Sequence, residues 1–144
     1  MATLNPNVMF KGNCEQAFDF YQTIFGGELS PKMRWSENKM PDMKVPEADK
    51  QLIMHVSLPV GESTLMGGDI VSDMETPMTF GNNFTINIST KSKEEADTLF
   101  NGLSKNGNVM MPMGIAFWGD YFGMFTDQFG LQWQVLCDAK LLKQ

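Results

Sequence analysis

Residues 7–27 read Asn7-Val8-Met9-Phe10-Lys11-Gly12-Asn13-Cys14-Glu15-Gln16-Ala17-Phe18-Asp19-Phe20-Tyr21-Gln22-Thr23-Ile24-Phe25-Gly26-Gly27. A short apolar run is followed by a turn, an amphipathic stretch and a glycine stop. Ala17, Phe18, Tyr21, Ile24 and Phe25 recur at helical spacing, which predicts a helix over Cys14–Phe25 with one apolar stripe. Asn13 is placed to cap it, Gln16 to complete a capping box, and Gly26-Gly27 to end it. Asn7–Phe10 predicts the strand before it. This strand–helix unit decides the fold because it occurs twice. Asn83–Ser89 alternates apolar and polar residues as a half-buried strand does. A second helix is predicted over Lys93–Lys105, capped by Ser92 with Glu95 closing a Ser-x-x-Glu box. Its stripe is Ala96, Leu99, Phe100 and Leu103, and Asn106-Gly107 ends it.

Three strands are expected after each helix. In the first half they are Glu28–Ser36, Gln51–Leu58 and Ser63–Met66. In the second they are Val109–Trp118, Tyr121–Thr126 and Leu131–Cys137. Pro59–Glu62 and Asp127–Gly130 suit hairpin loops. Glu37–Lys50, with charges of both signs and two prolines, reads as a loop that could act as a lid. The chain is thus expected to be one α+β domain over 1–144 made of two βαβββ modules, about 1–75 and about 80–140. Each module has one sheet face covered by its helix and one bare, so two modules bury the bare faces or wrap them around a ligand.

Composition narrows the function. The 144 residues carry 11 Lys+Arg against 17 Asp+Glu, a net charge of −6. That argues against nucleic acid and against an anionic membrane surface, both of which need a basic patch. No run approaches the roughly 20 apolar residues of a membrane span. The start, Met1-Ala2-Thr3-Leu4-Asn5-Pro6, lacks the basic and apolar regions of a signal peptide. One histidine, His55, and two cysteines, Cys14 and Cys137, rule out a Cys/His zinc finger within this chain. Two widely separated thiols suit a reducing cytoplasm. Cys14 sits where a helix N-terminus would lower a thiol pKa, though no second histidine is present to activate it. The 13 methionines, such as Met9, Met33, Met54 and Met66, are either core filler or an adaptable pocket wall.

Strand alternation sorts the candidate site residues. Leu52, Met54, Val56 and Leu58 form one set, and Ile53, His55 and Ser57 the other. Phe84, Ile86 and Ile88 oppose Thr85, Asn87 and Ser89. Leu131, Trp133 and Val135 oppose Gln132, Gln134 and Leu136. The apolar sets are expected under the helices. His55, Thr85, Asn87 and Gln134 would then anchor a ligand in an apolar wall or face solvent. Trp35, Phe117, Trp118 and Tyr121 could supply stacking surface.

The segments Phe10–Tyr21, Ile24–Glu28, Ile53-Met54-His55-Val56, Leu65–Asp69 and Trp118–Trp133 resemble the glyoxalase/bleomycin-resistance/extradiol-dioxygenase, or vicinal oxygen chelate, superfamily. More narrowly they resemble its PhnB-like branch. The resemblance covers nearly the whole chain, and the C-terminal block is its most specific part. It implies curved mixed sheets around a cavity, helices on the outer faces, and often a homodimer. In metal-dependent relatives a divalent ion is chelated by four His, Gln or Glu side chains. Those positions fall here near Pro6, near Thr85, on Gln134, and at an uncertain place near Asp69. A metal, if bound, would use His55, Asp69 and Gln134, and too few donors are present for the usual site.

The reading that follows is a cytoplasmic, metal-free protein that binds a small molecule through His55, Gln134, Thr85, Asn87, Trp35, Trp118 and Tyr121. The competing readings are a metal-dependent lyase, isomerase or dioxygenase with a non-standard ligand set, and a partner-binding module without a small ligand. PhnB-like proteins are sometimes labelled demethylubiquinone methyltransferases. The common methyltransferase carries a glycine-rich turn between strand and helix, whereas Gly26-Gly27 follows a helix and Gly67-Gly68 lies among hairpins.

Overall fold

The computed structural model describes residues 1–72 and 77–143. The chain divides into two compact units, Met1–Thr79 and Phe80–Gln144; the expected end of the first module near residue 75 lies outside the described residues. The fold is α+β, with one four-stranded mixed sheet in each unit.

The first unit contains β1 (Asn7–Phe10), α1 (Cys14–Phe25), β2 (Met33–Arg34), β3 (Ile53–Val60) and β4 (Ser63–Asp69). Its strand order is β1-β4-β3-β2, with β1 and β4 parallel and the other pairs antiparallel. The stripe of α1 lies on this sheet: Phe18 meets Phe10 and Tyr21 edge to face at 6.2 and 5.7 Å. Ala17, Phe18, Tyr21, Val56 and Leu58 are fully buried. Each such large apolar side chain contributes roughly 1.5–3 kcal/mol of burial. Gly67 sits under Phe18, where a Cβ would come within 2.5 Å of the ring.

Four expectations change here. The strand expected over Glu28–Ser36 shrinks to Met33–Arg34, because Pro31 has no N–H to give to a ladder. Two residues of β3, Ile53 and His55, pair with the successive residues Arg34 and Met33. The extra residue, Met54, forms a bulge that reverses the side-chain parity. Ile53, expected beside His55 on the semi-polar face, is therefore buried with Val56. The strand expected to stop at Met66 runs on to Asp69. Within Glu37–Lys50 a 3-10 turn spans Glu47–Asp49, and the Asp49 carboxylate accepts from the backbone N–H and hydroxyl of Ser72 at 2.7 and 2.6 Å.

The second unit contains β5 (Ile86–Thr90), α2 (Lys93–Leu103), β6 (Asn108–Ile115), β7 (Tyr121–Thr126), β8 (Gln132–Cys137) and a short α3 (Ala139–Leu142). Its order, β5-β8-β7-β6, repeats the first sheet, again with one parallel pair, β5 and β8. Trp133, Val135 and Cys137 are buried as alternation predicts, and Phe100 of α2 packs edge to face on Phe125 at 5.1 Å. Ser92 caps α2 by accepting from the N–H of Glu95. Phe84, expected to pack with Ile86 and Ile88, lies before β5 and is 59% exposed. The hairpin loop expected at Asp127–Gly130 is fixed by the buried Asp127, whose carboxylate accepts from the N–H groups of Phe129 and Leu131 and from Trp133 Nε1.

Candidate functional site

The face of the second sheet opposite α2 brings several sequence-predicted residues together. Register aligns Asn87, Gln134, Met124 and Met111 as neighbours across the four strands. One row to one side, Thr85 donates its hydroxyl to Gln132 Oε1 at 3.5 Å, and Gln132 pairs with Thr126. On the other side Ser89, Leu136 and Phe122 align. Alternation in β5, β7 and β8 sends Asn87, Ser89, Gln132, Gln134, Leu136, Phe122, Met124 and Thr126 away from the helix, whereas the register of β6 shifts on both sides of Met111. Gln134 and Thr85 are half-buried and Asn87 is exposed. Asn87 Nδ2 donates to Ser89 Oγ at 3.1 Å. The Gln134 carboxamide makes no hydrogen bond among the described residues.

Trp118 belongs to the edge of the same face. It is 53% exposed, its ring tilts over Phe122 at 5.3 Å, and Phe117 meets it edge to face at 4.9 Å. Its Nε1 donates to Asp120 Oδ2.

Two predicted stacking residues are placed elsewhere. Tyr121 is buried on the α2 side, and its hydroxyl donates to Asp97 Oδ1 at 2.5 Å with Lys93 over the ring. Burial and the Asp97 hydrogen bond push the Tyr121 pKa up, while accepting that bond holds Asp97 down. Trp35 is buried in the first unit, and its Nε1 donates to the backbone oxygen of Asp69 at 2.9 Å. Both rings hold the scaffold. His55 lies in the first unit, exposed, on the face of β3 opposite Val56.

Asp69 has a role that sequence reading missed. It is buried, and its Oδ1 accepts from the N–H groups of Gly12 and Cys14 at 2.9 and 3.0 Å while Oδ2 accepts from Ile53 N–H at 3.0 Å. It caps α1 from 55 residues away. The predicted cap, Asn13, makes no side-chain cap bond. Cys14 is corrected as well. Burial first, and then the Asp69 charge, push its thiol pKa far above the ordinary value instead of lowering it. A cleft of about 290 Å³ beside α1 is lined by Glu15, Asp19, Gln51 and Asp69 among others, but Glu15 and Asp19 are paired with Arg34 and Lys32.

The two sheets share a register: Asn7 pairs with Met66 as Asn87 pairs with Gln134. The first-unit counterpart of Gln134 is therefore Met66, and that of Asp69 is Cys137. These four matched positions offer three carboxamides and a thioether. Carboxamide oxygens are neutral donors, and these four positions add no carboxylate or imidazole to them. The Asp69 carboxylate is already committed to backbone N–H groups. Among the described residues no group of three or more His, Cys, Asp or Glu is arranged to hold a metal.

A family model described as 3-demethylubiquinone-9 3-methyltransferase matches residues 2–136. The chain belongs to this family, the PhnB-like branch of the vicinal oxygen chelate superfamily. Protein PA1353 from Pseudomonas aeruginosa has a crystal structure similar to this PhnB-like chain at a TM-score of 0.84 and 36% identity, covering 96% of this chain and 98% of that one. A structure described as a putative 3-demethylubiquinone-9 3-methyltransferase, PhnB protein, from Bacillus cereus aligns at a TM-score of 0.72 and 22% identity, over 95% and 100% of the two chains. Protein YjdN of Escherichia coli (strain K12) is 29% identical over 142 residues, 92% of each chain. Glyoxalase/bleomycin resistance proteins share the fold at TM-scores of 0.59 and 0.60.

Proposed function

We propose that this PhnB-like protein binds a small molecule, without a metal, on the open face of its second sheet. The observation that carries the reading is the row Asn87–Gln134–Met124, in which a half-buried carboxamide without a protein partner lies between an amide and a thioether. A few polar groups in an apolar surface orient a ligand, and methionines adapt to its shape. Thr85 and Trp118 extend the contact, and His55 is a further candidate from the first unit. Trp35 and Tyr121 act through the scaffold.

The donor set described above favours metal-free binding over a metal-dependent lyase, isomerase or dioxygenase. Methyl transfer also lacks support. Each sheet has a single parallel pair, and the amides at the start of α1, where an anionic cofactor group would dock, already serve Asp69. We further propose a homodimer, with the charge-free edge strand β6 as its best-suited surface. Val109, Met110, Met111 and Ile115 there are 45–64% exposed. A cytoplasmic location suits the two buried free thiols, Cys14 and Cys137. Among the described residues no helix is long and apolar enough to cross a membrane.

The test is a thermal-shift screen of EDTA-treated protein against a diverse library of small aromatic and aliphatic compounds. Ligands are expected whose shift survives chelation and is lost in Gln134→Leu. Shifts that require Zn, Ni, Mn or Fe would overturn the metal-free reading. A screen with no ligand at all would overturn binding itself.

A further inference from the structure

The open face of the second sheet is graded along its strands. At one end Thr85, Gln132 and Thr126 offer hydroxyls and an amide. In the middle stands Gln134. At the other end are Leu136 and Phe122, with the Trp118 ring tilted over Phe122. No charged side chain stands in these three rows, in a chain with 11 basic and 17 acidic residues. The carboxylates beyond the Leu136 row are already engaged: Asp120 accepts from Trp118 Nε1 and from the N–H of Ala139, and Asp138 accepts from the N–H of Lys140. Successive rows are two residues apart, roughly 7 Å along a strand. That is the reach of a bicyclic ring bearing one carboxamide.

Resting on the binding reading above, we infer that the ligand class is an uncharged molecule with a flat aromatic part and an amide-like group that both donates and accepts. The aromatic part seats against Phe122 and Trp118, and the amide group seats on Gln134. A carboxamide side chain satisfies a donor and an acceptor at once. A carboxylate in the same seat would be partly desolvated against a thioether and amides without a cation, and an ammonium would lack an anion; both lose affinity when charge is buried unpaired. The overall charge of −6 adds to the penalty on anions.

The experiment is calorimetric titration of the full chain with 2-naphthamide, 2-naphthoate and 2-naphthylmethylamine. The variant is Gln134→Met, which installs the residue found at the matched position, Met66, in the first sheet. Gln134→Leu stands in should that variant fail to fold. The expected result is binding of 2-naphthamide at least about tenfold tighter than either charged probe, with that preference lost in the variant. Equal or tighter binding of 2-naphthoate or the amine would overturn the uncharged class while leaving small-molecule binding intact. An amide preference unchanged in both variants would overturn the seat on Gln134. Failure of all three probes would overturn the class, whereas the binding reading falls only if the library screen finds nothing.

Discussion

Asp69→Asn is the substitution whose outcome follows most directly from the geometry. The carboxylate is 1% exposed and accepts three backbone N–H groups, from Gly12 and Cys14 on Oδ1 and from Ile53 on Oδ2. Asparagine has nearly the same shape, but only one of its two terminal atoms accepts. With its oxygen toward Gly12 and Cys14, its amide group faces the buried Ile53 N–H, donor against donor. An unsatisfied buried N–H costs about 1–3 kcal/mol, and the two surviving bonds lose their charge assistance. The favourable interaction of a negative charge with the start of α1, about 0.3–2 kcal/mol, also goes. Together this comes to about 3 kcal/mol, against a total stability of roughly 5–15 kcal/mol for a domain of ordinary size. Urea denaturation of wild type and variant, followed by circular dichroism, measures it; the midpoint should fall with little change in slope. A loss below about 1 kcal/mol, less than one unsatisfied buried donor, would refute the role of Asp69 as the clamp joining α1, β3 and β4. A metal-ligand role would instead show as lost metal binding with the metal-free stability unchanged.

The two helix caps should respond differently. Ser92→Ala should cost about 1 kcal/mol because the Ser92 hydroxyl accepts from Glu95 N–H. Asn13→Ala, with no cap bond to lose, should stay within about 0.5 kcal/mol; urea midpoints compare them. Gly67→Ala pushes a Cβ to within 2.5 Å of Phe18 and 2.9 Å of the Val8 oxygen, and should cost about 1–3 kcal/mol by the same assay. Stability should fall as pH rises above about 9, the ordinary thiol value. The raised Cys14 pKa keeps the folded thiol protonated while the unfolded one ionises, so the unfolded state binds fewer protons and the slope is about −1.4 kcal/mol per pH unit for that group. Melting temperatures from pH 8 to 11 should decline less steeply in Cys14→Ala than in wild type, and parallel curves would contradict the assignment.

The repeated βαβββ order was legible because it rests on local signals: two helical stripes with glycine stops, and the alternation of β8. What escaped sequence reading depends on residues far apart. The Asn13 cap gave way to Asp69 because a carboxylate arriving from β4 serves the two N–H groups and Ile53 at once. The Met54 bulge reversed parity within β3, so Ile53 joined the core, and no local pattern marks such an insertion. Asn87 and Gln134 came out on one face because a period of two survives in β5 and β8, and Thr85, just before β5, joins them through its hydrogen bond to Gln132. Trp35 and Tyr121 were drawn into the ligand list by side-chain type alone. Their polar atoms are satisfied by the Asp69 backbone oxygen and by Asp97, at separations of 34 and 24 residues. Register, which pairs Asn7 with Met66 as Asn87 pairs with Gln134, is a property of the sheet and places a thioether where Asp69 had been considered.

The central claim is metal-free binding on the open face of the second sheet. It is tested most directly by titrating EDTA-dialysed protein, labelled with ¹³C at the methionine methyls, with the strongest ligand from the library screen. Met124 lies beside Gln134 in register, so its methyl signal should shift saturably, and added Zn or Mn should leave the affinity unchanged. Saturable binding with the Met124 signal unmoved, or binding that appears only when metal is restored, would contradict the account.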